Sequence, residues 1–349
     1  MNPQIEDEPD DHEELFEKLT IIADKGQEPF RVDKFLMNRI EGATRNKIQQ
    51  SIEAGRVLIN DKPVKPNYKV RAHDKIVLYE TYLHETTEII PEYIPLNIVY
   101  EDDDVLLINK PAGMVVHPGS GNRGGTLVNG VAYYLKQQNP GLDETKLTRF
   151  GLVHRIDKNT TGLLVMAKTP LAMTHLARQF FDHTVYRRYV ALVWGDFKEE
   201  SGTIKAHVGR HQRFRKIFTA YPDEEYGKDA ITHYKVLESF NYVSLVECRL
   251  ETGRTHQIRV HMQHVGHPVF NDESYGGDRI VKGTVFTRYK QFVENCFALC
   301  PRHALHAQQL GFVHPVTGIA MHFECDMPDD MKQVIEKWRN YSSQSTGNQ

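Results

Sequence analysis

Three side chains with complementary chemistry stand far apart in this chain: an aspartate among cations, a tyrosine among arginines and an arginine among histidines. The aspartate is Asp157, in His154-Arg155-Ile156-Asp157-Lys158-Asn159-Thr160-Thr161-Gly162, directly before the apolar run 163–167. A carboxylate kept ionised by neighbouring cations can act as a nucleophile. The plainer reading of the same residues is a turn aspartate capping Thr160 or Thr161. Tyr189 lies in Tyr186-Arg187-Arg188-Tyr189-Val190-Ala191-Leu192-Val193, a strand pattern that puts Arg187, Tyr189, Ala191 and Val193 on one face. Arg259 follows in Glu251-Thr252-Gly253-Arg254-Thr255-His256-Gln257-Ile258-Arg259-Val260-His261. A helix over 255–265 places Ile258, Met262 and Val265 on an apolar side and His256, Arg259 and Gln263 on another. A guanidinium stays charged when desolvated and forks onto a carboxylate. Arg254 reads as a phosphate or scaffolding contact.

The elements that must position these groups follow from local pattern. Strands are expected over 163–168, 189–194, 231–237 and 243–250, and helices near 126–136, 171–182, 255–265 and 329–340. Few strands are joined by regular helical crossovers, so the expected class is α+β, with a mixed, mainly antiparallel sheet. Residues 30–82 form a separate unit with two helices (33–40, and 44–54 capped by Thr44) and strands at 57–62 and 75–78. From Arg31 to Glu80 there are eleven Lys/Arg and six Asp/Glu. The expected organisation is an acidic, disordered leader (1–29), the small unit (30–82), a linker (83–95), the large domain (96–340) and a disordered tail (341–349).

Length and composition allow two domains in one soluble chain: 349 residues, 40% hydrophobic and 26% charged. No apolar run suits a membrane span, and no signal or transit signature opens the chain. The four cysteines do not suggest a disulfide framework, so a cytoplasmic, monomeric protein is expected. The net charge is −3, but residues 1–17 hold eight acids and no Lys or Arg, leaving +5 for the rest. Distribution therefore says more about partners than the total does.

Two motifs mislead. Gly119-Ser120-Gly121-Asn122-Arg123-Gly124 satisfies G-x-G-x-x-G, but Pro111 and Pro118 interrupt the approach and no acid-ended second strand follows, so no nucleotide cofactor is expected. His256, His261, His264 and His267 invite zinc, but no zincin spacing accompanies them, and no metal is expected.

The Asp157 segment resembles the H-R-L-D-x-x-T-[ST]-G motif of the RluA-type pseudouridine synthases, with Ile156 in place of Leu. The Tyr189 and Arg259 segments follow in the order of that family, and the resemblance runs from about residue 100 to 338. It is strongest to the D-type branch, which acts on large-subunit ribosomal RNA. The small unit, with Arg31-x-Asp33-Lys34 and the run from Arg45 to Asn60, resembles the S4-type RNA-binding domain.

These resemblances imply a cofactor-independent isomerase with the pseudouridine synthase fold, acting on uridines of the helix 69 stem-loop. Asp157 would be the nucleophile, Tyr189 the stacking and proton-handling group, and Arg259 the partner of Asp157. His154 and Arg155 would position RNA, and Lys158 would meet phosphate. The motifs also nominate Thr160, Thr161, Gly162, Arg254, His256, Gln257 and Ile258 as substrate-binding residues. In the small unit Arg31, Lys34, Arg45, Lys47, Arg56 and Lys62 would bind RNA. Competing readings are a related synthase for another ribosomal or transfer RNA site and a non-catalytic RNA-binding or assembly protein.

Overall fold

The computed structural model describes residues 15–40, 45–53, 57–81, 89–119, 122–139, 141, 151–212, 214, 217–222, 226–284 and 286–346. The chain divides into two units, Asp11–Glu88 and the rest. In the first, β1 (Leu15–Ile22), β3 (Val57–Ile59), β4 (Lys62–Pro63) and β6 (Lys75–Thr81) make a sheet ordered β1-β6-β3-β4. The short strands β2 (Phe30–Arg31) and β5 (Lys69–Val70) pair separately. Helices α1 (Val32–Met37) and α2 (Arg45–Glu53) supply Val32, Phe35, Leu36, Ile48 and Ile52 to a core shared with Val57, Ile59, Ile76 and Leu78.

The larger unit is built on one sheet, ordered β12-β11-β13-β14-β10-β15-β9-β8-β7, with β16 against β15. Its strands are β7 (Ile98–Glu101), β8 (Val105–Lys110), β9 (Thr161–Ala167), β10 (Tyr186–Trp194), β11 (Ser201–Arg210), β12 (Phe218–Tyr221), β13 (Lys228–Ser239), β14 (Val243–Leu250), β15 (Leu305–Val313) and β16 (Ala320–Glu324). The β9–β15 pair is parallel and the other pairs are antiparallel. The architecture is α+β, and no described helix is long and apolar enough to cross a membrane.

Central strands are apolar on both faces because both faces are covered. Leu106, Ile108, Leu164, Met166, Tyr189, Ala191 and Val193 enter one core with α3 (Leu127–Gln138). From the same strands Val105, Leu107, Leu163 and Val165 face α4 (Pro170–Phe181). Val190, Leu192 and Trp194 face α6 (Thr287–Leu299) and α7 (Asp329–Thr346). Burying each such side chain contributes about 1.5–3 kcal/mol.

Three boundaries differ from the sequence reading. Residues 15–22, assigned to the leader, pair with β6, and alternation brings Leu19 and Ile21 onto the small core. Residues 89–95, assigned to the linker, pack on the larger unit. Ile89 joins its core, the Asn129 Nδ2 donates to the Ile90 carbonyl, and the Gly125 N–H donates to Glu92. The last helix runs to Thr346 rather than 340. Tyr341 stacks on Phe292 at 4.5 Å and meets Trp338 edge-on at 5.9 Å, which anchors the added turn.

Aromatic pairs of this kind contribute about 0.5–1.5 kcal/mol each beyond area burial. A chain ending at Asn340 should therefore melt a few degrees lower in calorimetry. An unchanged melting temperature would show that Tyr341 adds no stability.

Candidate active site

The Asp157 loop is delivered by β9. Its parallel pairing to β15 sets Gly162 opposite Ala307, and a Cβ on Gly162 (φ +116°) would lie 2.1 Å from the Ala307 carbonyl oxygen. Glycine is required there. Thr160 and Thr161 face inward, with their hydroxyls 2.9 Å from His303 Nε2 and His306 Nδ1. The buried Lys110 ammonium donates to the carbonyls of Pro111, Met114 and Lys158, at 2.7, 2.9 and 2.8 Å. Burial pushes its pKa down to about 7. Three carbonyl acceptors need three N–H donors, so the geometry favours the charged form. Arg302 adds a bond to the Asn159 carbonyl.

Arg259 rises from α5 (Gln257–His264) and is 2% exposed. Its Nη1 donates to Asp157 Oδ2 at 3.0 Å, while Nε and Nη2 grip the two oxygens of the fully buried Asp272 at 2.7 and 2.9 Å. The Tyr275 ring lies 4.9 Å from the guanidinium carbon. Tyr275 Oη is 2.8 Å from His256 Nδ1, and His256 Nε2 is 3.9 Å from Asp157 Oδ1. Burial alone would raise the Asp157 pKa. The charges beside it, His256 and Arg259 foremost, reverse that and hold the carboxyl well below its usual range. Arg259 is the permanent charge among them, because His303, held down to about 3 by burial, is neutral at physiological pH.

Asp157, His256 and Arg259 floor a cleft of about 500 Å³. Tyr189 forms one wall, and burial raises its hydroxyl to about 12, so it stays protonated near neutrality. Arg155, exposed, and Arg254 stand on the cleft wall, and Arg254 Nε also donates to the Asp229 carbonyl. Lys158 does not line the cleft.

Several nominated residues also make contacts inside the protein. His154 lines the cleft and also braces the strand behind it. Its Nε2 accepts the Val165 N–H at 3.0 Å, its ring stacks on Phe180 at 4.3 Å, and burial lowers its pKa to about 3. Thr161 and Gly162 lie off the cleft, in the β9–β15 seam. Thr160, Gln257 and Ile258 contribute to its wall, but their functional atoms are spent internally. Gln257 bonds Thr252, the Arg254 N–H, Thr232 and the Ile231 carbonyl, and Ile258 is core.

Asp272, Tyr275, His303 and Lys110 form the support that the sequence reading did not identify as a site. Asp272 lies in a turn with no periodic signal. A Tyr-Gly-Gly run at 275–277 was the trace available, and a Cβ on Gly277 would lie 1.8 Å from the Val269 carbonyl oxygen. The zinc candidates separate: His261 Nδ1 meets Thr232, and His267 stacks on Phe197. Among the described residues the one trio with ligand atoms close enough for a metal is Asp102, Asp104 and His314, already bound to one another and to nearby backbone.

In the small unit, the buried Asp33 accepts from Arg31 at 3.0 and 2.9 Å, from Arg45 at 3.2 and 3.1 Å and from Gln49 at 2.9 Å. The Arg31 hydrogen bond is the largest cause of its strongly lowered pKa. Arg31 and Arg45 keep outer edges in solvent, and Lys34 and Lys62 are exposed. The Lys47 side chain, Arg56 and Thr44 lie outside the described residues.

Comparison with known proteins gives the family. Residues 104–264 match the RNA pseudouridylate synthase family and residues 30–76 match the S4 domain. An uncharacterized RNA pseudouridine synthase of Chlorobaculum parvum is 47% identical, across 94% of this chain and 99% of the relative. The ribosomal large subunit pseudouridine synthase D of Escherichia coli is 38% identical, across 92% and 94%. Human RNA pseudouridylate synthase domain containing 4 shares the fold, with a TM-score of 0.56 and 24% identity, covering 70% of this chain and 93% of that one. With such identity sustained over nearly the whole length of both chains, this protein belongs to the RluA-type RNA pseudouridine synthases, isomerases acting on RNA.

Proposed function

We propose that this enzyme isomerises uridines of large-subunit ribosomal RNA, in the helix 69 stem-loop, with Asp157 as nucleophile. The observation that carries the reading is the Asp157–Arg259 pair at 3.0 Å on the floor of the cleft, beside Tyr189. The name of the Escherichia coli relative supports the ribosomal substrate. Asp157 is 17% exposed, open enough to meet a nucleotide and shielded enough for its charge to act strongly. It attacks C1′ or C6, or takes the C2′ proton; each route frees uracil to turn and rejoin through C5.

The rearrangement is redox-neutral and internal to the nucleotide, so it requires no co-reactant. The uridine must leave its stack to reach Asp157. Tyr189 offers a ring face to the loosened uracil, and its protonated hydroxyl is a weak acceptor for the C5 proton. Arg259 holds Asp157 ionised, and Asp272 fixes Arg259 from behind. Arg155, on the exposed wall, is placed to brace the RNA.

Asp157→Asn should abolish pseudouridine formation and leave RNA affinity within a few-fold, because affinity rests mainly on phosphate contacts. Asp272 is a nearby carboxylate, but it sits behind the guanidinium and cannot substitute. Appreciable turnover by purified Asp157→Asn would remove the assignment.

Single-turnover rates in wild type should show no acidic limb from Asp157 between pH 5 and 8, since its lowered pKa keeps it ionised there. In Arg259→Gln burial acts unopposed by that cation, the Asp157 pKa rises, and the rate should fall as pH drops toward 5. Arg259→Lys should keep a flat profile at a reduced rate. Identical profiles for all three would detach Arg259 from Asp157.

Deleting residues 1–88 should weaken RNA binding while leaving the chemical step on bound RNA largely intact, because Asp157, Tyr189 and Arg259 all lie in the other unit. The fall of log affinity with log salt should flatten by about one unit per lost phosphate contact. An unchanged salt slope would make the small unit a structural appendage.

A further inference from the structure

We infer that Arg187 is a built-in anchor for an RNA phosphate flanking the target uridine, a subsite at the end of the cleft beyond Tyr189. This rests on the cleft being where the uridine is converted. Arg187 stands two residues before Tyr189 on the same strand face, lines the cleft, and is 8% exposed. A cation so buried normally faces a carboxylate, as Arg259 faces Asp272 and Arg302 faces Asp330. Arg187 has no such partner among the described residues. Its Nη2 donates to the Glu251 carbonyl at 2.9 Å, and its buried Nε has no hydrogen-bond partner there.

The surroundings supply no counter-charge. Asp157 is the lone carboxylate among the described residues lining the cleft, and it pairs with Arg259, not with Arg187. Arg155 and Arg254 stand on the same wall, and the proximity of Arg254, after burial itself, lowers the Arg187 pKa. A buried guanidinium with a spare donor beside a second cation is costly in the free protein. An anion that meets the cleft-facing edge of the guanidinium offsets its uncompensated charge, while the buried Nε itself stays sealed.

The group is also held in place before RNA arrives. Its guanidinium carbon lies 5.8 Å from the centre of the Phe180 ring, which is itself stacked on His154. Gly253 lets it lie close to the α5 approach, since a Cβ there would stand 2.4 Å from Arg187 Nη1. A fixed fork beside the uracil-stacking face suits a phosphodiester oxygen. The charge of the first adjoining phosphate is then read within the cleft, separately from contacts made by the S4 domain.

A binding cycle tests this. Affinities of wild type, Arg187→Ala, Arg187→Lys and Gly253→Ala would be measured for a large-subunit ribosomal RNA hairpin. Each phosphate flanking the target uridine would be replaced in turn by a neutral methylphosphonate. Arg187→Ala should weaken binding of native RNA by about 10- to 100-fold, the range for a charge-assisted hydrogen bond. At one methylphosphonate position wild type should suffer the same loss and Arg187→Ala no further one. Arg187→Lys should lose less, and Gly253→Ala, which displaces the fork while keeping the charge, should lose affinity at the same phosphate.

If Arg187→Ala loses as much on every methylphosphonate RNA as on native RNA, Arg187 does not contact a phosphate and the inference fails. If that variant does not fold, by circular dichroism, the lysine and Gly253 variants carry the same cycle. The cycle reads binding, so it stands apart from turnover. A wild type that binds but converts no uridine would sink the assigned reaction without touching this contact.

Discussion

The site depends on one buried cation held by two carboxylates. Arg259 is almost completely enclosed, bonded through one edge to Asp272 and through its remaining nitrogen to Asp157. Removing one partner from a buried pair costs about 3–5 kcal/mol, because the other charge is left uncompensated. That penalty couples three separate pieces of chain: the loop before β9, helix α5 and the turn after Val269. It also divides labour between the carboxylates. Asp272, sealed behind the guanidinium, balances charge, and Asp157, at the open edge, stays 17% exposed to the cleft.

Around this pair the protein fixes backbone more than side chains. Lys110 and Arg302 donate to main-chain carbonyls of the Asp157 loop, and Thr160 and Thr161 pin it to His303 and His306. Gly162 and Gly277 permit approaches that no side chain could survive. The polar residues of the motif therefore serve mostly as joinery, which fixes the position of the Asp157 carboxylate. The same device recurs in the small unit, where buried Asp33 gathers Arg31, Arg45 and Gln49 at the base of its two helices.

Composition, period and motif were enough to determine the α+β class, the presence of two units, most central strands and the three residues placed at the cleft. Strands read well where alternation is strict: Tyr189, Ala191 and Val193 do share a face. The chain ends read poorly. Residues 15–22 directly follow an acidic run, and Tyr341 lies in a polar tail, so their partners at residues 75–81 and 292 could not be seen locally.

Only the tertiary structure decided which polar residues line the cleft and which brace the loop. Gln257 looks like a contact residue in a motif, yet its amide is spent on Thr252, Arg254, Thr232 and Ile231, and His154 gives its Nε2 to the Val165 N–H. Asp272 and the unpaired state of Arg187 were invisible because both are facts about distant neighbours, not about local pattern. Periodicity records which side of an element is buried. Whether a buried charge finds its counter-charge depends on long-range packing, which local pattern does not record.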